Sequence, residues 1–425
     1  MSGLYSNGHE DASAIPPLPS AVDRAGPDTG GSVLTVGEFS RTSTEPRRNL
    51  VRLLAFYLPQ FHPIPENDRW WGRGFTEWTN VARAKPLFRG HVQPHLPADL
   101  GFYDLRVPEV REAQAELARS HGIFGFCYYH YWFQGKRLLN RPFDEVLMSG
   151  RPNFPFCLCW ANENWTRAWD GKDREILLPQ QHSFSDDQAH IKHLLAVFED
   201  PRYIRIEGRP LFLVYRTELL PDPGRTADIW RKEARIAGIG ELFLARVESS
   251  VRNCDPKAMG FDAAVEFAPD WGVLPTPLFR RKRWELLARL QARFGGFGLI
   301  PSAYVRHRVY RYDDLMREML SKPEVPYRRF RCVTPRWDNS PRRPKDSVIF
   351  RDSTPDAYER WLRESIQSTL GSFQGDERLV FVNAWNEWAE GNHLEPDVAT
   401  GRSYLEATAR AVGIEIPRQA PIEPQ

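Results

Sequence analysis

Several features are missing from the sequence, and each absence removes a class of function. No run of 18 apolar residues occurs, so no membrane span is expected. The opening residues, MSGLYSNGHEDASAIPP, show no basic stretch followed by an apolar one, so no secretory signal is expected either. An excess of charge of one sign is also lacking. The 57 Lys and Arg face 55 Asp and Glu, giving a net charge of +2. That balance makes no case for nucleic acid or an anionic membrane as a partner. Cysteine is scarce and odd in number, at five, which excludes a dense disulfide framework. Cys127, Cys157, Cys159 and Cys332 sit inside apolar, strand-like runs and read as buried reduced thiols. Cys157-x-Cys159 lacks metal spacing, and the two side chains are expected on opposite faces of their strand. Reduced thiols and the missing signal fit a cytoplasmic location. There is no GxxxxGK[ST] phosphate loop and no GxSxG elbow. There is no HxxxH or HExxH pattern, so His62, His130 and His393 read as satisfied or substrate-bonding side chains rather than metal ligands. No cofactor and no metal are expected.

What is present starts with size. The chain has 425 residues, 41% of them hydrophobic, which is enough for a sizeable core. Residues 1–48 are rich in Gly, Pro, Ser and charge with little periodicity, and read as a disordered leader. Residues 413–425 read as a flexible tail, leaving 49–412 as one catalytic domain. Eight short apolar runs are candidate strands: Leu53–Tyr57, Ile123–Tyr128, Phe154–Cys159, Leu211–Tyr215, Leu242–Val247, Ala263–Phe267, Phe330–Thr334 and Leu379–Asn383. Helical patterns fall between several of them. Pro108–Ser120 has Pro at its start and Gly122 beyond its end. Stretches 187–198, 225–237 and 354–370 are similar. Strand alternating with helix implies a parallel sheet with crossovers. Eight such units predict an α/β fold, a single (β/α)8 TIM-like barrel with long loops at the C-terminal face. The rival is an open doubly wound sheet. It calls for a Gly-rich turn after its first strand, and here that strand runs into LPQFHPIPEND. A basic run, Arg280 to Arg283, precedes a helical pattern at 284–294. It reads as a solvated face, or as a phosphate or anionic-glycan site.

The most informative abundance is aromatic: 14 Trp beside 14 Tyr and 25 Phe. In a (β/α)8 barrel the functional groups lie at the C-terminal ends of the strands. Strand one is followed by Tyr57, Gln60, His62, Trp70, Trp71, Glu77 and Trp78. Strand two carries Tyr128, Tyr129, His130, Tyr131 and Trp132. Strand three delivers Trp160, Asn162, Glu163, Asn164 and Trp165. Strand seven delivers Arg336, Trp337, Asp338, Asn339 and Arg342. Strand eight delivers Asn383, Trp385, Asn386, Glu387, Trp388 and Glu390, with His393 and Glu395 close behind. Five strand ends thus repeat one chemistry of aromatic ring, amide and carboxylate. That chemistry suits a sugar, whose C–H faces stack on rings and whose hydroxyls need donors and acceptors. Breaking a glycosidic bond commonly takes two carboxyl groups, one protonated and one ionised. Apolar neighbours raise the pKa of the acid. The candidate catalytic pair is Glu387 and Glu390. A turn that starts helically puts i and i+3 on one side. The blander reading makes them capping and surface carboxylates at the start of the last helix. Glu163 and Asp338 are rival carboxylates, and Glu395 would brace the loop or bind a sugar hydroxyl.

The segments AFYLPQFHPIPEND, WWGRGFTEW, GFCYYHYWF, WANENWTRAWDG, TPRWDNSPRR and FVNAWNEWAEGNHLEPD resemble the WbsX-like group. Its members carry a domain similar to glycoside hydrolase family 99, the endo-α-mannosidases. The group is commonly found with O-antigen and other surface-polysaccharide genes, and several members are labelled glycosyltransferases from that context. The resemblance runs from about residue 51 to 410. It implies a (β/α)8 barrel, in agreement with the strand count. The mannosidases place their catalytic carboxylates in an E-W-x-E segment after the last strand, which falls here on Glu387 to Glu390. The resemblance implies Glu387 as the base that deprotonates a sugar 2-hydroxyl, and Glu390 as the acid/base at the leaving oxygen. The 2-oxygen then attacks C1, giving an anhydrosugar and net retention. It implies an oligosaccharide or polysaccharide substrate and an enzyme of glycosyl transfer or hydrolysis. Two alternatives stand beside it. One is a cytoplasmic glycosyltransferase using an activated sugar donor. The other is a non-catalytic glycan-binding protein, which would need the aromatic rim but not the carboxylate pair.

Overall fold

The computed structural model describes residues 51–167, 172–279, 302–343 and 345–415. The expected leader, the end of the expected tail, and the basic run with its helical pattern at 284–294 lie outside the described residues. All eight apolar runs form strands: β1 (Arg52–Tyr57), β2 (Ile123–Phe133), β3 (Phe156–Trp160), β4 (Arg209–Val214), β5 (Phe243–Glu248), β6 (Ala263–Glu266), β7 (Arg329–Val333) and β8 (Leu379–Val382). Each pairs in parallel with its sequence neighbours, and β8 pairs with β1. The sheet is therefore a closed (β/α)8 barrel. Closure leaves no barrel strand with an open edge.

The crossover helices start where the sequence provides caps. Thr354 Oγ1 accepts from the Ala357 amide at the head of Pro355–Ser372. Ser183 and Asp222 do the same for Phe184–Phe198 and Pro223–Ile236. The helix Pro108–Ser120 has the expected bounds. Among the described residues, no helix is long and apolar enough to cross a membrane.

Strand β2 runs further than its apolar pattern suggests, to Phe133, and folds back on Lys136–Leu138 as a hairpin. Side chains alternate along it. Tyr129 faces the barrel axis and stacks on Phe56 at 5.6 Å, and Phe56 in turn meets Phe267 and Phe381. Tyr128, His130 and Trp132 face the helices. The same period corrects the expectation for Cys157 and Cys159. Residues two apart on a strand share a face, and both thiols contact Cys127 on the adjacent strand. The described cysteines are all free thiols, and four of them are buried.

Three small sheets sit beyond the barrel strands, one of them the hairpin of Trp165–Arg167 with Lys172–Leu178. Arg308–Arg311 pairs in parallel with Val348–Arg351, which pairs antiparallel with Trp337–Asp338. A short hairpin joins Asn386–Glu387 to Asn392–His393. Between them these pieces carry Arg308, Arg342, Glu387 and Glu390.

Candidate active site

All eight strand ends contribute to one cavity of about 770 Å³. Its walls are aromatic: Trp70, Trp71, Tyr129, Tyr131, Trp165, Tyr215, Phe267, Trp271 and Trp337. Glu387 and Glu390 lie in its lining, close to Arg342.

The local fold explains how the pair comes together. The hairpin after β8 is closed by one 3-10 turn, Trp388–Glu390, with Glu387 as the residue before it. A 3-10 turn has three residues per turn, so side chains at i and i+3 eclipse. Glu387 and Glu390 therefore lie on one side of the segment. Gly391 ends the turn with φ +55°, and a Cβ there would come 3.0 Å from the Cβ of Asp338 and 3.1 Å from its carbonyl oxygen. Both facts demand glycine. The blander reading as caps of the last helix does not match this geometry. That helix is Ser403–Ala411, and Glu387 is only 6% exposed.

One guanidinium gathers the carboxylates. Arg342 Nη2 donates to Glu387 Oε2 at 2.8 Å, and Arg342 Nη1 reaches Glu390 Oε1 at 3.0 Å. Nη2 and Nε also donate to Glu77 Oε1 at 2.6 and 3.0 Å. Glu77 lies behind the pair on the helix Glu77–Arg83 and accepts from the Ala389 amide at 3.2 Å. Three carboxyl groups thus share one cation in a desolvated place. Burial pushes the Glu387 carboxyl up to about 8, Arg342 pulls it down, and Glu390 and Glu77 add to the rise. Burial raises Glu390 too, against the pull of Arg342. The charge of Arg342 is held firmly by its partners, well above its ordinary value despite burial.

The expected substrate-binding residues divide into two groups. Gln60, Tyr129, Glu163, Trp165 and Trp337 line the cavity with Glu387 and Glu390. Glu163 pairs with Arg216, also in the lining, and burial raises its carboxyl. The other expected residues do not line the cavity. Strand period places Tyr57, Tyr128, His130, Trp132 and Trp160 on the outer face of the barrel. Tyr57 donates to Gln114 at 2.7 Å and packs on Tyr128. His130 meets His190 at 3.0 Å, Trp132 donates to Asp186, and Trp160 packs on His190 and Trp230. The remainder brace the loops. Asn162 clamps the backbone of Arg216 from both sides, at 2.8 and 2.9 Å. Asn386 does the same to Leu58, at 2.7 and 3.1 Å. Trp78 donates to the Tyr103 carbonyl and packs on Trp388, while Trp385 is buried against Phe126. Asp338 holds Gln93 and His91, each at 2.6 Å. His62 is buried, which lowers it to about 4. Glu395 accepts from Tyr103, Gln114 and Trp388, and burial pushes it up to about 7.

His393 stacks on Trp388 at 3.7 Å and converges with His95 and Asp397 in a cluster with the makings of a metal site. Its donors are already engaged with one another. His95 bonds His393 at 3.0 Å, and Arg336 holds Asp397 at 2.6 Å. A fixed cation beside the cluster opposes a metal ion there.

Tyr215, Phe267 and Trp271 also line the cavity, beyond the residues expected from the sequence. The signal was available, since Tyr215 directly follows β4 and Phe267 directly follows β6. Polar atoms without a protein partner also border the cavity: Gln60 Nε2, both side-chain atoms of Asn67, Trp337 Nε1 and Asn383 Oδ1. Buried polar atoms left in this way commonly mark a ligand or ordered water.

Residues 53–408 match the protein family described as glycosyltransferase WbsX. The chain belongs to this family. Two proteins of Xanthomonas campestris pv. campestris, from strains B100 and ATCC 33913, are each described as uncharacterized protein WxcX. Both are 46% identical to this WbsX-family chain over 372 residues. The stretch is 88% of this chain and 51% of theirs, so the chain spans about half the length of the curated relatives it matches. Among solved structures, a glycoside hydrolase-like protein is 15% identical with a TM-score of 0.53, covering 91% of this chain and 98% of its own. It shares the fold. The family 99 endo-α-mannosidase of Bacteroides thetaiotaomicron is 15% identical with a TM-score of 0.48, covering 85% and 96%.

Proposed function

We propose that this WbsX-family chain is a carbohydrate-active enzyme acting on glycosidic bonds of a surface polysaccharide or its precursor, with Glu387 and Glu390 as its acid/base pair. The observation that carries the reading is Arg342 presenting both carboxyl groups to one aromatic-walled cavity. Two buried carboxyls on one cation, with a third behind them, favour retention of a proton at neutral pH. A protonated carboxyl beside an ionised one is the state that glycosyl transfer needs. The aromatic walls supply stacking surfaces for sugar rings.

The resemblance to the mannosidases suggests the order of events. One carboxylate takes the proton of the sugar 2-hydroxyl, and that oxygen attacks C1. The bond from C1 to the leaving oxygen breaks, and the other carboxyl gives its proton to that oxygen. In the second half an acceptor hydroxyl attacks C1 and loses its proton to the second carboxyl, while the bond from C1 to the 2-oxygen breaks and that oxygen takes its proton back from the first. The resemblance gives the base role to Glu387. The Glu387 carboxyl, pushed up to about 8 by burial, retains a proton at neutral pH. Under this assignment substrate binding transfers that proton within the pair before the first step. The rate then follows a bell-shaped pH profile whose limbs belong to the pair, not to either residue.

The test is turnover of oligosaccharides by wild type, Glu387→Gln and Glu390→Gln, with products identified by mass spectrometry. Loss of turnover in both variants, with sugar binding kept, supports the reading. Unchanged turnover in either would sink it. The family description favours a second reading, a transferase that passes sugar from an activated donor to an acceptor hydroxyl. Release of a nucleotide or lipid phosphate that depends on acceptor would select it. The free buried thiols fit work in a reducing cytoplasm.

A further inference from the structure

Five arginines and four carboxylates line the cavity among the described residues. Most of this charge is already matched. Arg342 is shared by Glu77, Glu387 and Glu390. Arg216 serves Glu163 and Glu218. Asp270 is held by Lys322 Nζ at 2.8 Å and by the Gly272 amide at 2.9 Å. Arg343 acts on Glu390, whose carboxyl it lowers. That leaves Arg252 and Arg308. Arg252 has Asp270 only as an outer partner, at 3.6 Å. Arg308 makes no side-chain hydrogen bond or ion pair with another described residue, and it is half-buried in the wall rather than waving in solvent.

The seat of Arg252 is built. A Cβ on Gly272 would fall 1.6 Å from Arg252 Cζ and 1.8 to 1.9 Å from its two terminal nitrogens. The φ of Gly272 is not in the left-handed region, so a side chain there would conflict with the guanidinium and not with the backbone conformation. The guanidinium occupies the space that a side chain at 272 would fill. Next to it Trp271 meets Trp337 edge-on at 5.2 Å. Neutral sugar hydroxyls do not require two surplus guanidinium groups beside aromatic plates. An oxyanion does, because Arg presents paired donors that match carboxylate and phosphate oxygens.

We infer that the substrate carries a negative charge, a phosphate ester or a sugar carboxylate, received by Arg252 and Arg308 beside Trp271. This rests on the proposed carbohydrate-active reading and narrows its substrate to anionic glycosides. Both charge sources share one chemistry, and binding experiments separate them.

The test is calorimetric titration of the full chain with three probes: inorganic pyrophosphate, a galacturonic acid trisaccharide and neutral mannotriose. The galacturonate is expected to bind about tenfold tighter than mannotriose if a carboxylate is read, as one charge-assisted hydrogen bond allows. A phosphate reader would instead bind pyrophosphate. Arg308→Ala, Arg252→Ala and Gly272→Ala should each reduce the anion's advantage by about tenfold and leave mannotriose within about twofold. Gly272→Ala serves as the second variant, since it displaces a flexible side chain without emptying the site. Equal binding of charged and neutral sugars overturns the inference. So does an anion preference that survives all three substitutions, or no binding of either anion at millimolar concentration. Turnover lost in Glu387→Gln with equal binding of charged and neutral probes defeats this inference alone. An Arg308-dependent anion preference in an enzyme indifferent to Glu387→Gln defeats the proposed chemistry alone.

Discussion

The inner and outer faces of the upper barrel use the same residue types for different ends. On the inner side, Tyr129, Tyr131, Trp165 and Trp337 surround buried carboxylates and an open cavity. On the outer side, Trp132, Trp160 and His130 pack against His190 of the helix Phe184–Phe198. Tyr129 and His130 are adjacent in sequence and part company because a strand turns its side chains alternately. Composition alone therefore does not separate a sugar platform from a core layer. Position within the strand does.

The electrostatic consequences also run in opposite directions. Inside, burial pushes Glu387 up to about 8. Outside, burial holds His130 and His190 well below their ordinary value and lowers His193 to about 4. The folded chain therefore keeps a proton on Glu387 that the unfolded chain gives up above about pH 4.5. It also refuses protons on the histidines that the unfolded chain takes below about pH 6.5.

The largest way to break the comparison is on the inner face. Glu387→Gln and Glu390→Gln should each lower turnover by about 10² to 10⁴ with the far-ultraviolet spectrum unchanged, as loss of a general acid or base does. Next, Trp160→Ala should cost about 3–5 kcal/mol of stability by emptying the outer layer. Denaturant unfolding measures the loss, and kcat per folded molecule should stay at the wild-type value. A large fall in kcat would mean the two faces are coupled.

The third prediction uses pH. The Glu387 burial cost is absent near pH 4.5 and grows as pH rises to about 8, because folding then retains a proton that unfolding releases. Glu387→Gln should therefore raise the unfolding midpoint near pH 8 and lose that advantage near pH 4.5. The histidine layer should do the reverse. Its contribution is full above about pH 6.5 and falls as pH drops toward 4, and His193→Gln should blunt that fall. Denaturant midpoints at pH 5, 7 and 8 check both signs. The smallest effect is expected at Glu77. Its charge raises the pair, so Glu77→Gln should move the acid limb of the pH–rate profile to lower pH while the profile stays bell-shaped. A purely structural Glu77 would lower stability and leave the limb in place.

Much of the fold was legible because each barrel strand is a short apolar run between polar segments. Register was not the difficulty, since every expected strand overlaps its observed counterpart. The carboxylate pair stood out because Trp and Glu together are foreign to ordinary turns. What the sequence hid was which aromatic faced inward. The run FGFCYYHYWF gives no boundary between core and cavity. Only the hairpin at Lys136–Leu138 shows that β2 rises past the barrel rim. Arg342 was visible as a polar residue after β7. Its link to Glu77, 265 positions earlier, depends on how two loops meet above the barrel.

Barrel closure has a further consequence for any polymer that enters. Phe56, Phe267 and Phe381 pack together in the bore below the cavity, so the cavity opens at the C-terminal face and no passage leads down through the barrel. A glycan chain can lie across that mouth or lower an end into it, but it cannot thread through. A chain lowered end-first must then leave by the way it entered. Cleaved or transferred product should accordingly compete with fresh substrate, and long chains should be handled by repeated visits rather than by continuous passage.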